Sequence, residues 1–567
     1  MEFFIAQSFA KNFGLYGERI GYIHVKCANK DAADRVLSQL KICVRQAYSS
    51  PPKHGAAIVY TVLSNPKLKE QWLGELKMMS DRIVSMRSAL RNAVEAKKTP
   101  GTWNHITDQI GMFTFTGLIK EQVTRMVEEF HIYMTGDGRI SMAGLNPSNV
   151  EYVASCINNV VTTAAPEKSI FDNVKMAPAD PILSLATRFK ADSFEKKVNL
   201  GIGAYRTEEG KPWILDSVRE AEKLVVADTA GDKEYQPIDG KPEYKRPVQE
   251  LIFPAEVINS GCVATLQALS GTGSLQMIAQ FMKEMGIKKI HGPVPTWGNH
   301  PKIFNRAGLA YAGYPYWHQG NRNLDFYGMT AAMEMMQAGE AILLHAVAHN
   351  PTGVDPTPEQ WVKIVEICKR RNLVPLIDNA YQGYASGDLA KDGFAQKLFT
   401  ESGMEFFIAQ SFAKNFGLYG ERIGYIHVKC DDKDAADRVL SQLKICVRQA
   451  YSSPPKHGAS IVYTILSNPK LKEQWLGELK MMSDRIVSMR NALRKAVEAK
   501  STPGTWNHIT DQIGMFTFTG LDAKQTARMV DDFHIYMTGD GRISMAGLNP
   551  SNVEYVAQCI NAAVTGA

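Results

Sequence analysis

A lysine that is to act as a nucleophile must lose its proton near neutral pH, and proteins bring this about by burying the amine among apolar groups. Lys414 is set up for this, because it follows the apolar run "EFFIAQSFA" and lies between Phe412 and Phe416. A lysine that snorkels its head to water is the plainer alternative. Asp378 ends a second apolar run, "LVPLIDNAY", where a carboxylate is costly unless a cation or hydrogen-bond donors meet it; a turn aspartate is the plain alternative. Arg448 and Arg542, the latter in "TGDGRISMAG", carry the planar fork that binds a carboxylate through two hydrogen bonds, although surface arginine is the commoner case.

Two further stretches point to anions and turns. In "LSGTGS", Ser270, Gly271 and Thr272 stand at an expected helix start, where bare N–H groups and hydroxyls can hold a phosphate. Small-residue turns are common, and the dinucleotide pattern GxGxxG fails at Gln276. The run "LLHAVAHNPTG" places His345, His349 and Asn350 at a strand end, where an Asn-Pro turn and a binding role for Asn350 weigh equally. No carboxylate or cysteine lies close in sequence to complete a metal set with the two histidines, so no metal is expected.

These residues need a scaffold that gathers strand ends. "AILLHAVAH" and "LVPLIDNAY" read as buried strands, and "ILDSVREAEKLVVAD" and "QWLGELKMMSDRIVSMRNALRKAVEA" have helical apolar spacing. The alternation predicts an α/β fold with a mostly parallel sheet, whose ligands sit at the carboxyl ends of the strands. The chain has 567 residues, 45% hydrophobic and 22% charged, a soluble globular balance with more than one lobe. Its 64 basic and 58 acidic residues are interspersed, which argues against nucleic-acid and membrane partners. No apolar run approaches the roughly 18 residues of a membrane span, and "MEFFIAQSFA" has neither a signal-peptide n-region nor transit-peptide character. Eight cysteines without CxxC or zinc spacing suit reduced thiols and a cytoplasmic location.

One feature is unusual. Residues 1–164 align with 404–567 without a gap at an offset of 403, and 18 positions differ, so 164 − 18 = 146 are identical. The chain therefore reads as a first copy (1–164), a unique segment (165–403) and a second copy (404–567), with "VVTTAAPEKSIFDNVKMAP" as a seam too short and mixed for a flexible linker. A solenoid is excluded by the long period and the two occurrences.

The segments "VNLGIGAYR", "KEYQPI", "SGTGS", "PTWGNH", "HNPTGVDP", "DNAYQGYASG", "SFAKNFGLYGERIG" and "DGRISMAG", in this order, resemble the aspartate aminotransferase family of fold-type I pyridoxal-phosphate (PLP) enzymes. The resemblance covers about residues 170 to 565. It implies that Lys414 links to PLP and moves a proton, that Asp378 pairs with the ring nitrogen with His300 behind it, and that Tyr381 and Asn350 hydrogen-bond the ring oxygen while Trp297 stacks on the ring. It further implies a phosphate cup of Ser270, Gly271, Thr272, Ser411 and Arg422, with Ser452 as a further contact and Tyr235 reaching in from the other subunit of a homodimer. Arg542 beside Gly203 would grip the substrate α-carboxylate, and Arg448 of the partner subunit the distal one. The implied reaction is ping-pong transamination between L-aspartate and 2-oxoglutarate; an aromatic aminotransferase of the same subfamily is the runner-up. One departure is Ser453 in "YSSPP", where the family pattern has Asn.

The implied division is a partial duplicate (1–164), an arm with a small-domain segment (165–213), a large PLP-binding domain (214–480) and the rest of the small domain (481–567). The first copy repeats the lysine and three arginines as Lys11, Arg19, Arg45 and Arg139, but has no counterpart of Asp378, Asn350, Tyr381, Trp297 or Ser270. It cannot build a cofactor site unaided, so at most one complete site per chain is expected. The unique segment is expected to pair with the second copy, although near-identity leaves exchange of the copies open. The first copy is then either a redundant appendage on an active enzyme, or an obstruction that leaves a PLP-binding or assembly protein without activity.

Overall fold

The computed structural model describes residues 1–158, 175–177, 181–228 and 231–566, so most of the seam lies outside the described residues. The chain divides into two compact units, residues 1–56 with 168–567, and residues 57–167.

The first unit begins with a hairpin of β1 (Phe3–Ser8) and β2 (Gly21–Lys26), then helix α1 (Lys30–Ala47). The unique segment supplies β3 (Val263–Leu269), α2 (Ser270–Glu284), β4 (Lys289–Val294), β5 (Ala310–Pro315), β6 (Ala341–His345) and β7 (Val374–Asn379). The second copy adds β8 (Phe406–Ser411), β9 (Ile423–Lys429) and α3 (Lys433–Ala450). Strands β3 to β9 form one sheet in the order β3-β9-β8-β7-β6-β4-β5, in which β9 runs antiparallel to both neighbours and the other pairings are parallel. The second copy thus completes the sheet of the unique segment.

Period-two alternation buries both faces of this sheet. Phe407 and Ala409 join one core with Leu266, Ile278 and Leu376, whereas Phe406 and Ile408 join another with Ile342, Ile377 and Trp361. Parallel register aligns His345 with Asp378 and Asp378 with Ala409, so β6, β7 and β8 deliver their polar ends to one edge. Gly424 on β9 permits close packing there, since a Cβ would come within 2.3 Å of Gln410 O and 2.8 Å of Ser270 Cα.

A third core is built around the helix Pro469–Ala499, with Trp475, Leu479 and Leu493 fully buried. Beside it, Phe516–Phe518 pairs with Arg542–Ser544, and Ile535–Tyr536 pairs with Val198–Asn199. Arg490 fastens this part by donating to the carbonyls of Ile509, Gly514 and Phe516.

The second unit repeats this last arrangement in miniature: the helix Pro66–Ala96, the hairpin Phe113–Phe115 with Arg139–Ser141, and the helix Val150–Ile157 enclose Leu90, Ile106, Met126 and Ala154. There Arg87 donates to Ile106, Gly111 and Phe113 as Arg490 does to its counterparts.

Candidate active site

The carboxyl edge of the sheet opens into a cavity of about 410 Å³. Its wall carries Gly203, Ser270, Gly271, Thr272, Trp297, Asn350, Asp378, Tyr381, Ser411, Lys414, Arg422 and Arg542. These are the residues expected from the unique segment and the second copy, with three exceptions given below.

Lys414 follows β8 in a turn closed by Gly417 N–H donating to Lys414 O at 3.1 Å, and its neighbours Phe412 and Phe416 are fully buried. Its pKa is lowered to about 7, first by loss of hydration and then by the positive charges of Arg422 and Arg45, against the opposing pull of Asp378. Near neutral pH a large share of this amine carries a free electron pair.

Asp378 lies at the end of β7 with 11% of its side chain exposed. Burial alone raises a carboxyl pKa, but the hydrogen bond and charge of His300, with the charge of Lys414, outweigh it and hold Asp378 below its ordinary value. Behind the carboxylate runs a chain of hydrogen bonds. The Asn350 N–H can only donate, and it meets His345 Nδ1 at 3.3 Å. His345 is held neutral by burial, its pKa lowered to about 3, so its Nε2–H donates to Thr296 Oγ1 at 3.1 Å. Thr296 Oγ1 also lies 2.8 Å from His300 Nδ1, and His300 Nε2–H donates to Asp378 Oδ2 at 3.2 Å, since an ionised carboxylate can only accept. One backbone amide thereby fixes the His345 tautomer, and His300 orients the carboxylate.

The N-terminus of the 15-residue helix α2 faces the cavity. Ser270 there takes a left-handed φ of 61°, and its hydroxyl lies 2.9 Å from that of Ser411. Arg422, also left-handed at φ 53°, is buried and donates to the carbonyls of Tyr48 and Tyr419, at 2.9 and 3.4 Å, rather than to a carboxylate. Arg542, also on the wall, is buried over the ring of Phe516 at 4.2 Å and donates to Asn350 Oδ1 and Gly201 O. Its Nε is buried without a hydrogen-bond partner. Gly203 leaves room beside it, since a Cβ would come within 2.6 Å of the Phe516 ring.

Arg448, Ser452 and Tyr235 are the exceptions: none of them lines the cavity. Arg448 is exposed and donates to Ser452, and the Tyr235 hydroxyl accepts from Lys11 Nζ at 2.8 Å, with Arg19 over its ring. The wall instead carries the first-copy counterparts Arg45, Ser49 and Ser50, the last matching the departure at Ser453. The first copy is therefore no mere appendage, because residues 1–56 contribute to the cavity. Arg45 is identical in sequence context to Arg448, so sequence could name it but not choose between the two. Thr296, Tyr419 and Phe516 were also missed, being ordinary residues that only the fold brings to this edge.

This donor set matches a known class of protein. The family model for class I and II aminotransferases matches residues 1–157 and 195–560, and the chain belongs to this family. Among its relatives, the cytoplasmic aspartate aminotransferase of rice (Oryza sativa subsp. japonica) is 48% identical over 400 residues, covering 70% of this chain and 98% of the relative. A chloroplastic aspartate aminotransferase of Arabidopsis thaliana is 48% identical over 402 residues, 70% of this chain and 90% of the relative. Among solved structures, the cytoplasmic aspartate aminotransferase of Saccharomyces cerevisiae is similar with a TM-score of 0.69 at 42% identity, over 70% of this chain and 99% of that one. The aromatic-amino-acid aminotransferase of Burkholderia pseudomallei, covalently bound to PLP, gives 0.68 at 42%, over 70% and 100%.

The chain is thus a PLP-dependent transaminase of fold type I, acting on amino and keto acids. The residues present suit this cofactor: an amine on the cavity wall with a pKa near 7, a carboxylate there whose pKa is held low, and a helix N-terminus beside an arginine that donates to carbonyls. Among the described residues no helix is long and apolar enough to cross a membrane.

Proposed function

We propose that this chain is an aspartate aminotransferase, exchanging the amino group reversibly between L-aspartate and 2-oxoglutarate to give oxaloacetate and L-glutamate. The observation that carries this reading is the meeting of Lys414 and Asp378 in one cavity with Arg45, Arg422 and Arg542 on its wall. When bound, PLP withdraws electrons from the substrate Cα–H bond and stores the amino group between half-reactions. The residues of the chain supply the rest. Asp378, held ionised by the His300 chain, keeps positive charge at the ring nitrogen. Lys414, with its pKa near 7, takes and returns the Cα proton. Tyr381 and Asn350 would hydrogen-bond the ring oxygen of PLP, and Trp297 would stack on the ring. Ser270, Gly271, Thr272, Ser411 and Arg422 would hold the phosphate through N–H groups, hydroxyls and the guanidinium. The unpaired Nε of Arg542 offers a donor for the α-carboxylate.

A homodimer with shared sites is the arrangement the family resemblance implies, and the eight unpaired cysteines suit a reducing compartment such as the cytoplasm. The aromatic-amino-acid aminotransferase structure, at 42% identity like the yeast aspartate aminotransferase structure, supports a second reading, preference for aromatic substrates; the ratio of turnover on aspartate and phenylalanine separates the two. The primary test is reduction of the protein with borohydride in the presence of PLP, followed by peptide mapping. Label at Lys414, in the tryptic peptide beginning "LFTESGMEFF", is expected; no label would overturn the PLP-enzyme reading.

A further inference from the structure

The two copies meet within the body formed by residues 1–56 and 168–567, and their contacts are reciprocal. Lys53 N–H donates to Gly420 O at 2.7 Å, and Lys456 N–H to Gly17 O at 3.1 Å. Arg422 Nε donates to Tyr48 O at 2.9 Å, and Arg19 Nη2 to Tyr451 O at 3.3 Å. His54 and His457 stack on each other at 3.4 Å with an interplanar angle of 4°. A shift of 403 residues exchanges the members of every pair. Residue i meets j while j meets i, which defines an isologous two-fold interface, ordinarily made between two subunits. Here one chain makes it with its own duplicate.

At such an interface, a side chain of one half can complete the site of the other. Arg45 does so in position: its carbonyl accepts from Asn299 Nδ2 at 2.7 Å and its guanidinium lies 5.5 Å from the centre of the Trp297 ring. It lines the main cavity, and together with Arg542 also an adjoining one of about 340 Å³. Two guanidiniums on the wall of one space suit a ligand with two carboxylates. The exchange is one-way. Tyr235 faces Lys11, which has no Asp378 counterpart in the first copy, and Arg448 is exposed.

We propose that residues 1–56 replace the partner subunit in cis, with Arg45 gripping the distal carboxylate of a dicarboxylic substrate. The proposal rests on the transaminase reading above and narrows it to dicarboxylic acids held by one chain.

The test measures succinate binding to the PLP-loaded enzyme by calorimetry. Arg45→Gln is expected to weaken binding about 10- to 100-fold, the range for loss of a charge-assisted hydrogen-bonding partner, with Arg45→Lys restoring part of it, while Arg448→Gln binds as the parent does. Weakening in Arg448→Gln, or none in Arg45→Gln, overturns the proposal alone. A mixture of Arg45→Gln and Arg542→Gln chains, unfolded and refolded together, is expected to stay weak. Recovery of tight binding would mean that Arg45 acts between chains and overturns the cis arrangement. If the parent, with PLP linked at Lys414, binds no succinate, the dicarboxylate reading falls with it.

Discussion

Strands β1 and β8 have the same sequence, FFIAQS, and the same antiparallel partner, yet one is exposed at every position and the other buried at every position. Phe4 and Ile5 are 51% and 46% exposed, whereas Phe407 and Ile408 are 4% and 0%. The main helices match in length: 18-residue helices follow in both copies, and 31-residue helices after those. Local sequence thus decides which element forms, while burial depends on the neighbouring strands β3 and β7, which the chain contains once. The lysines follow suit. Lys414 is enclosed in the cavity, and Lys11 is exposed and donates to Tyr235.

The largest expected break in this symmetry is chemical. Lys414→Ala should lower turnover by about 10⁴-fold or more, the loss of a positioned acid-base group together with the covalent anchor, and should abolish the absorbance of linked PLP. Lys11→Ala should keep both. Equal losses in the two variants would mean that the copies share the catalytic role, which the one-sided distribution of Asp378 and its neighbours does not allow.

Next in size is a pair of packing changes. Ile408→Ala removes atoms from a fully buried strand between two helical layers and should cost about 2–5 kcal/mol in urea unfolding. Ile5→Ala, at the same place in the sequence, should stay within about 0.5 kcal/mol, as surface substitutions do. If Ile5→Ala proved as costly, the hairpin would be covered by something in solution.

Much of this was readable from the sequence, for a physical reason. Asp378, Ser411 and Lys414 each end an apolar run, and in a parallel sheet such ends converge, so strand pattern and placement were one signal. The Thr296 relay was not readable: the chain from Asn350 through His345 and Thr296 to His300 joins residues up to 54 positions apart (350 − 296 = 54), and no local pattern marks a threonine as its link. The choice of Arg45 over Arg448 was hidden more completely, because identical segments carry identical local information. Only the single occurrence of the unique segment breaks the tie, by giving one arginine a cavity wall and leaving the other in water.

The smallest expected effect tests that choice electrostatically. Lys414 owes its lowered pKa first to burial, then to Arg422 and Arg45, with Asp378 opposing and Arg542 adding a little. The rate at which apoprotein links to PLP requires the neutral amine, so it should rise about tenfold per pH unit at low pH and level off above about 7. Arg45→Gln removes a positive charge that disfavours the ammonium form, so the ammonium form persists to higher pH and the midpoint moves up, by a fraction of a unit in a site that retains its desolvation and Arg422. Arg448→Gln should leave the midpoint in place, since its charge lies outside the cavity. A midpoint that moves with Arg448 instead would place the second copy's arginine against Lys414, as a site shared between two chains requires.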